Sequence, residues 1–238
     1  MNVLSVAVCA AALSITSYCQ AGVIFGGTRV IYPSDKKEVQ LNVSNLDDNT
    51  RHLVQAWVSM PDGNKAPFIV TPPLLKLSEK QETLLHIMYT GNAAGSSDRE
   101  TLYTLNIKTV PNVPDALKDK SRLQIAIHSQ LKLFLRPSNF SQHDADTAWE
   151  KLTFTRTGNT LHAKNPTPFY ISFKSLAVSG KEVTAVNKNL QPAAAFMVAP
   201  LASQDFVIPA GASGTVSWSV VNDYGGVSET KKQSLSAQ

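Results

Sequence analysis

Polar and apolar residues alternate along residues 122–137, which read RLQIAIHSQLKLFLRP. The apolar residues at its odd positions are Leu123, Ile125, Ile127, Leu131, Leu133 and Leu135. Most even positions are polar, and a period of two residues is typical of a β-strand with one apolar and one polar face. The pattern therefore predicts a single strand far longer than the usual ~5–6 residues. A cation, Lys132, lies among the apolar residues of this strand.

Shorter alternating segments lie on both sides of this strand. Those before it cover residues 23–32, 38–45, 53–59, 68–71, 74–77, 83–89 and 101–110. Those after it cover residues 152–157, 160–164, 170–178, 183–186, 196–198, 205–208, 214–221 and 227–235. Short strands separated by turn residues are typical of antiparallel sandwiches. We therefore predict an all-β fold of two tandem domains, residues 22–140 and 141–238, with a polar linker at 138–146 and no helix.

The first 21 residues have the pattern of a signal peptide. They carry no charged side chain, and residues 3–15 form an almost unbroken apolar stretch. That stretch has the length of a signal-peptide core and is too short to span a bilayer. The small residues Cys19 and Ala21 fit a cleavage site before Gly22, although no Lys or Arg precedes the apolar stretch. We expect export to the periplasm and no membrane insertion.

Cysteine content and charge exclude several classes of site. Both cysteines, Cys9 and Cys19, lie in the predicted leader, so the exported chain would have no disulfide, no thiol nucleophile and no Cys-based zinc site. The chain of 238 residues has a net charge of +4, and its longest basic run is the pair Lys231–Lys232. Nucleic-acid-binding domains usually present a clustered basic face, so we expect no nucleic-acid partner.

Motifs of common enzymes are missing from the sequence. There is no G-x-S-x-G, no Walker loop and no G-x-G-x-x-G, and the five histidines show no metal-ligand spacing. The acidic run at residues 143–146 (HDAD) is more simply a solvated loop than a cation site. We expect no enzymatic activity, no cofactor and no metal. A binding surface remains, because an exposed strand edge invites another chain to pair with it.

Several short motifs occur in the order found in the periplasmic chaperones of chaperone–usher pilus assembly, and the chain resembles that family over its whole exported length. The motifs are TRVIYP (28–33), QAW (55–57), TPP (71–73), DRE (98–100), LY (102–103), LN (105–106), LQIA (123–126), LKLF (131–134), RP (136–137), NPTPFY (165–170) and NDYGG (222–226). The resemblance implies two immunoglobulin-like domains set at an angle, with a cleft between them.

The resemblance also implies how a pilus subunit is bound. Such chaperones lend a strand to a subunit whose own sandwich lacks one. By their match to the family pattern, Leu123, Ile125 and Ile127 would pair with the subunit, and Arg29 and Lys132 would bind its C-terminal carboxylate. The alternative for the two cations is an ordinary pair of surface charges.

Three further residues, Glu100, Arg136 and Asp223, match an interdomain ion cluster of the family. They would hold the angle between the domains; the alternative is separate surface pairs worth ~0–1 kcal/mol each. The loop between Thr109 and Arg122 is short, as in the short-loop subclass of these chaperones.

The implied partners are pilus subunits, an outer-membrane usher and, when no subunit is bound, a second copy that caps the apolar strand in a homodimer. The implied process needs no ATP. Two alternatives remain open. The first is a two-domain immunoglobulin-like fimbrial subunit or adhesin, which usually has an N-terminal donor extension and a disulfide. The second is a periplasmic β-sandwich hydrolase, which needs a catalytic set that the sequence does not present.

Overall fold

The computed structural model describes residues 22–91, 98–113, 120–186 and 196–235. Within these ranges the regular secondary structure is almost entirely β-strand, so the predicted all-β fold class is confirmed. No helix in these ranges is long and apolar enough to cross a membrane. The predicted signal peptide at residues 1–21 lies outside the described residues.

The first half of the chain forms one sandwich of two sheets. Its strands are β1 (Val23–Phe25), β2 (Arg29–Pro33), β3 (Val39–Asn45), β4 (His52–Ser59), β5 (Phe68–Thr71), β6 (Leu74–Leu77), β7 (Glu82–Tyr89), β8 (Thr101–Pro111) and β9 (Ile127–Arg136). One sheet has the order β1-β3-β7-β5 and the other β2-β9-β8-β4-β6. Strand β2 pairs with β9 in parallel, whereas β8 pairs with β9 antiparallel. The face of each sheet that carries the alternating apolar residues closes the core between them.

The second half forms another sandwich. Its strands are β10 (Thr153–Thr157), β11 (Thr160–Lys164), β12 (Ile171–Val178), β13 (Lys181–Glu182), β14 (Thr184–Ala185), β15 (Met197–Val198), β16 (Ser203–Val207), β17 (Thr215–Val220) and β18 (Lys231–Ser234). The sheets have the orders β10-β11-β16-β14 and β13-β12-β17-β18, with β15 beside β12. The Phe154 and Trp218 rings, 4.6 Å apart, pack together in the second core.

The structure corrects the expected linker at residues 138–146 and the strand expected at residues 23–32. Residues expected to be an unstructured linker form helix α1 (Gln142–Thr147), followed by a 3-10 turn (Ala148–Lys151). Ser141 caps α1, because its Oγ accepts a hydrogen bond of 3.1 Å from the backbone N–H of Asp144. The segment 23–32, expected to be one strand, divides into β1 and β2, which lie in different sheets. Gly26 lies at the break, where a Cβ atom would come within 3.0 Å of Asn42.

Candidate functional site

Strand β9 has one edge that is only partly covered. Strand β8 pairs with residues 127–135 of β9, whereas β2 pairs only with residues 132–136 on the other side. Among the described residues, therefore, the edge at 127–131 has no strand beside it. The predicted strand over 122–137 was wrong in its first part, because β9 begins at Ile127. Continuing the ladder would place Ile125 opposite Pro111, which has no N–H to donate.

The apolar row of the sequence continues beyond the first domain's own core. Within β9, the odd-numbered leucines from Leu131 onward are buried in that core. The three apolar residues at earlier odd positions are exposed: Leu123 to 85%, Ile125 to 61% and Ile127 to 59%. Single exposed apolar residues are ordinary, but an aligned row of three beside an open edge is typical of an interaction site.

Arg29 and Lys132 lie side by side at the end of this open edge. They are direct partners in the parallel register of β2 and β9, where neighbouring strands are about 4.8 Å apart. The Nη1 of Arg29 donates a hydrogen bond of 2.9 Å to the backbone oxygen of Val221, and the Nζ of Lys132 donates one of 2.9 Å to the Oγ of Ser172. Both acceptors belong to the second sandwich, so the two cations lie where the sandwiches meet.

Burial and mutual repulsion shape the charge of this pair. Burial, and then the positive charge of Arg29, lower the pKa of the Lys132 ammonium to about 8. Burial also lowers the pKa of Arg29, while the carboxylates of Asp223 and Glu100 oppose that effect. The Nε of Arg29 is buried and has no hydrogen-bond partner among the described residues. A desolvated pair of cations with an unused N–H favours an anion, such as a carboxylate, that would restore their charged forms.

Arg136 joins two carboxylates from different parts of the chain. Its Nε donates to Glu100 at 2.8 Å, and its Nη1 and Nη2 donate to the two oxygens of Asp223 at 2.8 and 3.0 Å. Burial lowers the pKa of Arg136, but the two carboxylates outweigh it and raise that pKa above its ordinary value. The pKa of Glu100 is raised, because the effect of burial exceeds the opposing effect of Arg136. The pKa of Asp223 is lowered, because its hydrogen bonds to Arg136 outweigh the effect of burial.

The same three residues link the two sandwiches. Glu100 and Arg136 come from the first sandwich, and Asp223 lies in the turn after β17 of the second. The second oxygen of Glu100 accepts a hydrogen bond of 2.7 Å from the backbone N–H of Tyr170, and the N–H of Glu100 donates to the oxygen of Pro168 at 2.9 Å. The structure thus brings Glu100, Arg136 and Asp223 together, rather than placing them in separate surface pairs.

Two partners of the cations were not singled out from the sequence. Ser172 and the backbone oxygen of Val221 reach the site only because the two sandwiches pack against each other. A serine and a main-chain carbonyl carry no local signal of such a role. The cations also line different cavities: Arg29 lines one of about 260 Å³ between the sandwiches, and Lys132 lines one of about 350 Å³ beside β9.

Comparison with known proteins identifies the family of both domains. Residues 22–141 match the family described as "Pili and flagellar-assembly chaperone, PapD N-terminal domain", and residues 147–232 match "Pili assembly chaperone PapD, C-terminal domain". The probable fimbrial chaperone SfmC of Escherichia coli K12 is 36% identical over 225 residues, which cover 94% of this chain and 93% of SfmC.

Solved structures agree with the sequence comparisons. A chain in the complex of the Salmonella enterica SafA pilin with the SafB chaperone has a TM-score of 0.76 and 35% identity, covering 92% of this chain and 99% of that chain. The periplasmic chaperone SfaE has a TM-score of 0.73 and 33% identity, covering 90% of this chain and 100% of SfaE. The resemblance found in the sequence is thereby confirmed. The chain belongs to the family of pilus assembly chaperones built from the PapD N-terminal and C-terminal domains.

Proposed function

We propose that this pilus assembly chaperone holds a pilus subunit by lending it the strand segment 123–127 and by binding the subunit's C-terminal carboxylate between Arg29 and Lys132. One observation carries the proposal: the two cations are register partners at the point where the open edge of β9 ends. Related proteins include a chaperone solved in complex with a pilin, which makes a subunit the natural partner.

The position of the cations fixes the direction of the incoming strand. A subunit strand on the open edge would lie in line with β2, which runs parallel to β9 and begins at Arg29. If the subunit strand also runs parallel to β9, its C-terminal carboxylate arrives at Arg29 and Lys132. If it ran antiparallel, the C-terminal carboxylate would lie at the other end of the donated segment, far from the two cations. The proposal therefore requires parallel addition.

The same anchor fixes the register. Leu123 lies nine residues before Lys132, about 30 Å along an extended strand. A shift of one residue would turn every subunit side chain to the wrong face, and it would also withdraw the carboxylate from the cations. Full burial of Leu123, Ile125 and Ile127 in the subunit would contribute on the order of 1.5–3 kcal/mol each, from which the entropic cost of association must be subtracted.

The ion cluster of Glu100, Arg136 and Asp223 would hold the two domains, residues 22–140 and 141–238, in the orientation that forms the anchor. Because Arg29 and Lys132 both bond to the second domain, a change in that orientation would move their hydrogen-bond partners. The cluster would therefore act on subunit binding without touching the subunit.

Membership of the family supports a proposal about the cellular role. We place the chain in the periplasm, exported by the signal peptide at residues 1–21. The related protein SfaE is a periplasmic chaperone, which supports this location. We further propose that it acts without ATP or another cofactor, is not an enzyme, and passes its subunit to an outer-membrane usher. The short-loop subclass stays a prediction, since residues 114–119 of that loop lie outside the described residues.

Without a subunit, the exposed row would be covered by a second copy of the chain. Pairing of two open edges would hide three apolar side chains and satisfy free backbone groups. A wild-type protein that dimerises at micromolar concentration, together with an Ile125→Asp variant that does not, supports this proposal. A wild-type protein that is monomeric at every concentration contradicts it.

Co-expression with a candidate pilin in the periplasm tests the proposed function. The wild type should yield soluble, co-purifying subunit, whereas Arg29→Ala and Lys132→Ala should fold normally and yield little. Lys76→Ala is the matched control, because Lys76 is an exposed cation on β6 at the far edge of the same sheet. If both anchor variants rescue the pilin as well as the control does, the carboxylate assignment is wrong. If the wild type rescues none, the alternative of a fimbrial subunit or adhesin gains weight.

A further inference from the structure

The turn that follows β17 has a shape fixed by its own hydrogen bonds. It comprises residues 221–226 (the 221–226 turn). The Oδ1 of Asn222 accepts hydrogen bonds of 3.1 Å from the backbone N–H of Tyr224 and of 2.8 Å from that of Gly226. Gly225 has a φ of 83°, in the left-handed region that favours glycine. Asn222 and Gly225 therefore determine the path of the main chain through this turn.

The 221–226 turn packs against the start of β2 in the first domain. The backbone oxygen of Val221 accepts a hydrogen bond of 2.9 Å from the Nη1 of Arg29. Gly225 lies against Thr28, the residue before β2, so closely that a Cβ atom on the glycine would come within 2.8 Å of the threonine Oγ1. Because glycine has no Cβ, it allows the turn to approach β2 this closely.

This close approach determines where the guanidinium of Arg29 is held. A guanidinium is planar, and its N–H donors have a fixed arrangement in that plane. Because Val221 holds the Nη1, it also restricts the direction of the Nε–H, which is buried and has no hydrogen-bond partner among the described residues. The oxygen of Val221 keeps its position only while the turn keeps its distance from β2. Binding groups must be held within about 0.5 Å of their working geometry, so a small retreat of the turn would misplace Arg29.

We propose that Asn222 and Gly225 are positioning residues for the carboxylate anchor at Arg29. They act through the oxygen of Val221, because Asn222 maintains the shape of the turn and Gly225 maintains its distance from β2. Neither residue belongs to the ion cluster, and neither needs to touch the subunit. The inference rests on the proposed function, since it concerns the binding of the subunit's C-terminal carboxylate.

The preference of the protein for a free C-terminus tests the role of Gly225. This preference is the ratio of the dissociation constants of an amidated and an unmodified peptide with the C-terminal sequence of a candidate pilin. Gly225→Ala should reduce it roughly threefold to tenfold, as residues that act through others typically do. Gly180→Ala is the matched control and should leave it unchanged, because Gly180 has a φ of 79° and a Cβ there would meet no heavy atom within 4 Å among the described residues beyond its chain neighbours. Adding Thr28→Ala to Gly225→Ala should restore the preference, because it removes the Oγ1 that the new Cβ meets. An equal preference in the two glycine variants, or no recovery with Thr28→Ala, would overturn the proposal.

Variants of Asn222, an exposed residue, test the shape of the turn with little risk to folding. Asn222→Ala removes the acceptor of two backbone N–H groups and should lower the preference for a free C-terminus by a similar factor, whereas Asn222→Asp keeps an oxygen in that place and should retain the preference. A merely structural role would lower the urea midpoint of Asn222→Ala and leave the ratio of the two constants unchanged, which would contradict the proposal. The wild type separates this inference from the proposed function. If the wild type binds both peptides equally, the carboxylate anchor itself is wrong, whereas a wild-type preference that persists in Gly225→Ala and Asn222→Ala contradicts the positioning role alone.

Discussion

Raising the pH should weaken subunit binding because Lys132 loses its proton within an accessible range. The pKa of this amine in the free protein is about 8. A bound carboxylate favours the charged ammonium and raises that pKa in the complex. Above pH 8 the free protein therefore holds fewer protons at this position than the complex does, and binding must take up a proton. By linkage, affinity falls as the pH rises.

The size of the effect follows from the same value. If Lys132 is always protonated in the complex, the affinity is proportional to the fraction of the unbound protein in which Lys132 is protonated. Between pH 7 and pH 9.5 that fraction falls by a factor of about 30, so the dissociation constant should rise about 30-fold. Arg29 does not contribute, because a guanidinium stays protonated throughout this range.

The assay is fluorescence polarisation with a labelled peptide that ends in the C-terminal strand of a candidate pilin. Lys132→Arg is the matched control, because arginine keeps its charge, and its affinity should be nearly constant from pH 7 to pH 9.5. The same peptide with an amidated C-terminus should bind weakly to both proteins at every pH. Equal affinity of the wild type at the two pH values, or an equal loss in Lys132→Arg, would refute this reasoning.

Three further predictions concern stability and the apolar row. Arg136→Met leaves the buried carboxylate of Glu100 and the partly buried one of Asp223 without their cation, and it should cost about 3–5 kcal/mol in urea unfolding. Arg51→Met, in an exposed ion pair, should cost less than about 1 kcal/mol, and equal costs in the two variants would contradict a buried cluster. Ile125→Asp should abolish co-purification of the pilin with little effect on the midpoint of unfolding. Ile69→Asp, at an exposed position on the other sheet of the first sandwich, should still co-purify the pilin. Loss of the pilin in both variants would contradict a special role for the exposed apolar row. Asn165→Ala breaks hydrogen bonds of a fully buried amide and should cost about 2–3 kcal/mol, a prediction that a change below about 1 kcal/mol would refute.

Much of the fold was predictable because its strands are half-buried. In β4, every second residue from Val54 onward faces the core, and the apolar pattern marks those positions directly. The same reasoning failed at residues 122–126, where the alternation continues but no strand within the described part of the chain completes a ladder. Alternation reports which faces are apolar, and it does not report whether a partner strand is present.

The short helix α1 shows a second limit of pattern reading. It has only six residues, none of them buried, so it leaves no apolar stripe in the sequence. Its start depends on the hydroxyl of Ser141, which caps the first turn. A polar run with a single cap residue is compatible with a loop or a helix, and local hydrogen bonds decided in favour of the helix.

The cations of the site were found in the sequence through a family pattern, whereas their surroundings came only from the structure. Lys132 was noticeable as a charge in an apolar strand, but nothing in the sequence placed it beside Arg29 in register. That pairing depends on β2 joining β9 in parallel across more than a hundred intervening residues. The contacts to Ser172 and Val221 depend further on how the two sandwiches meet.

Amide hydrogen exchange at residues 123–127 tests strand donation most directly. In the free protein, residues 123–126 precede the ladder between β8 and β9, which begins at Ile127, and their amides should exchange rapidly. In the complex with a pilus subunit, the donated strand should make regular backbone hydrogen bonds, and exchange should slow by about 100-fold or more. Unchanged exchange at these residues in a complex that is demonstrably formed would contradict strand donation by this segment.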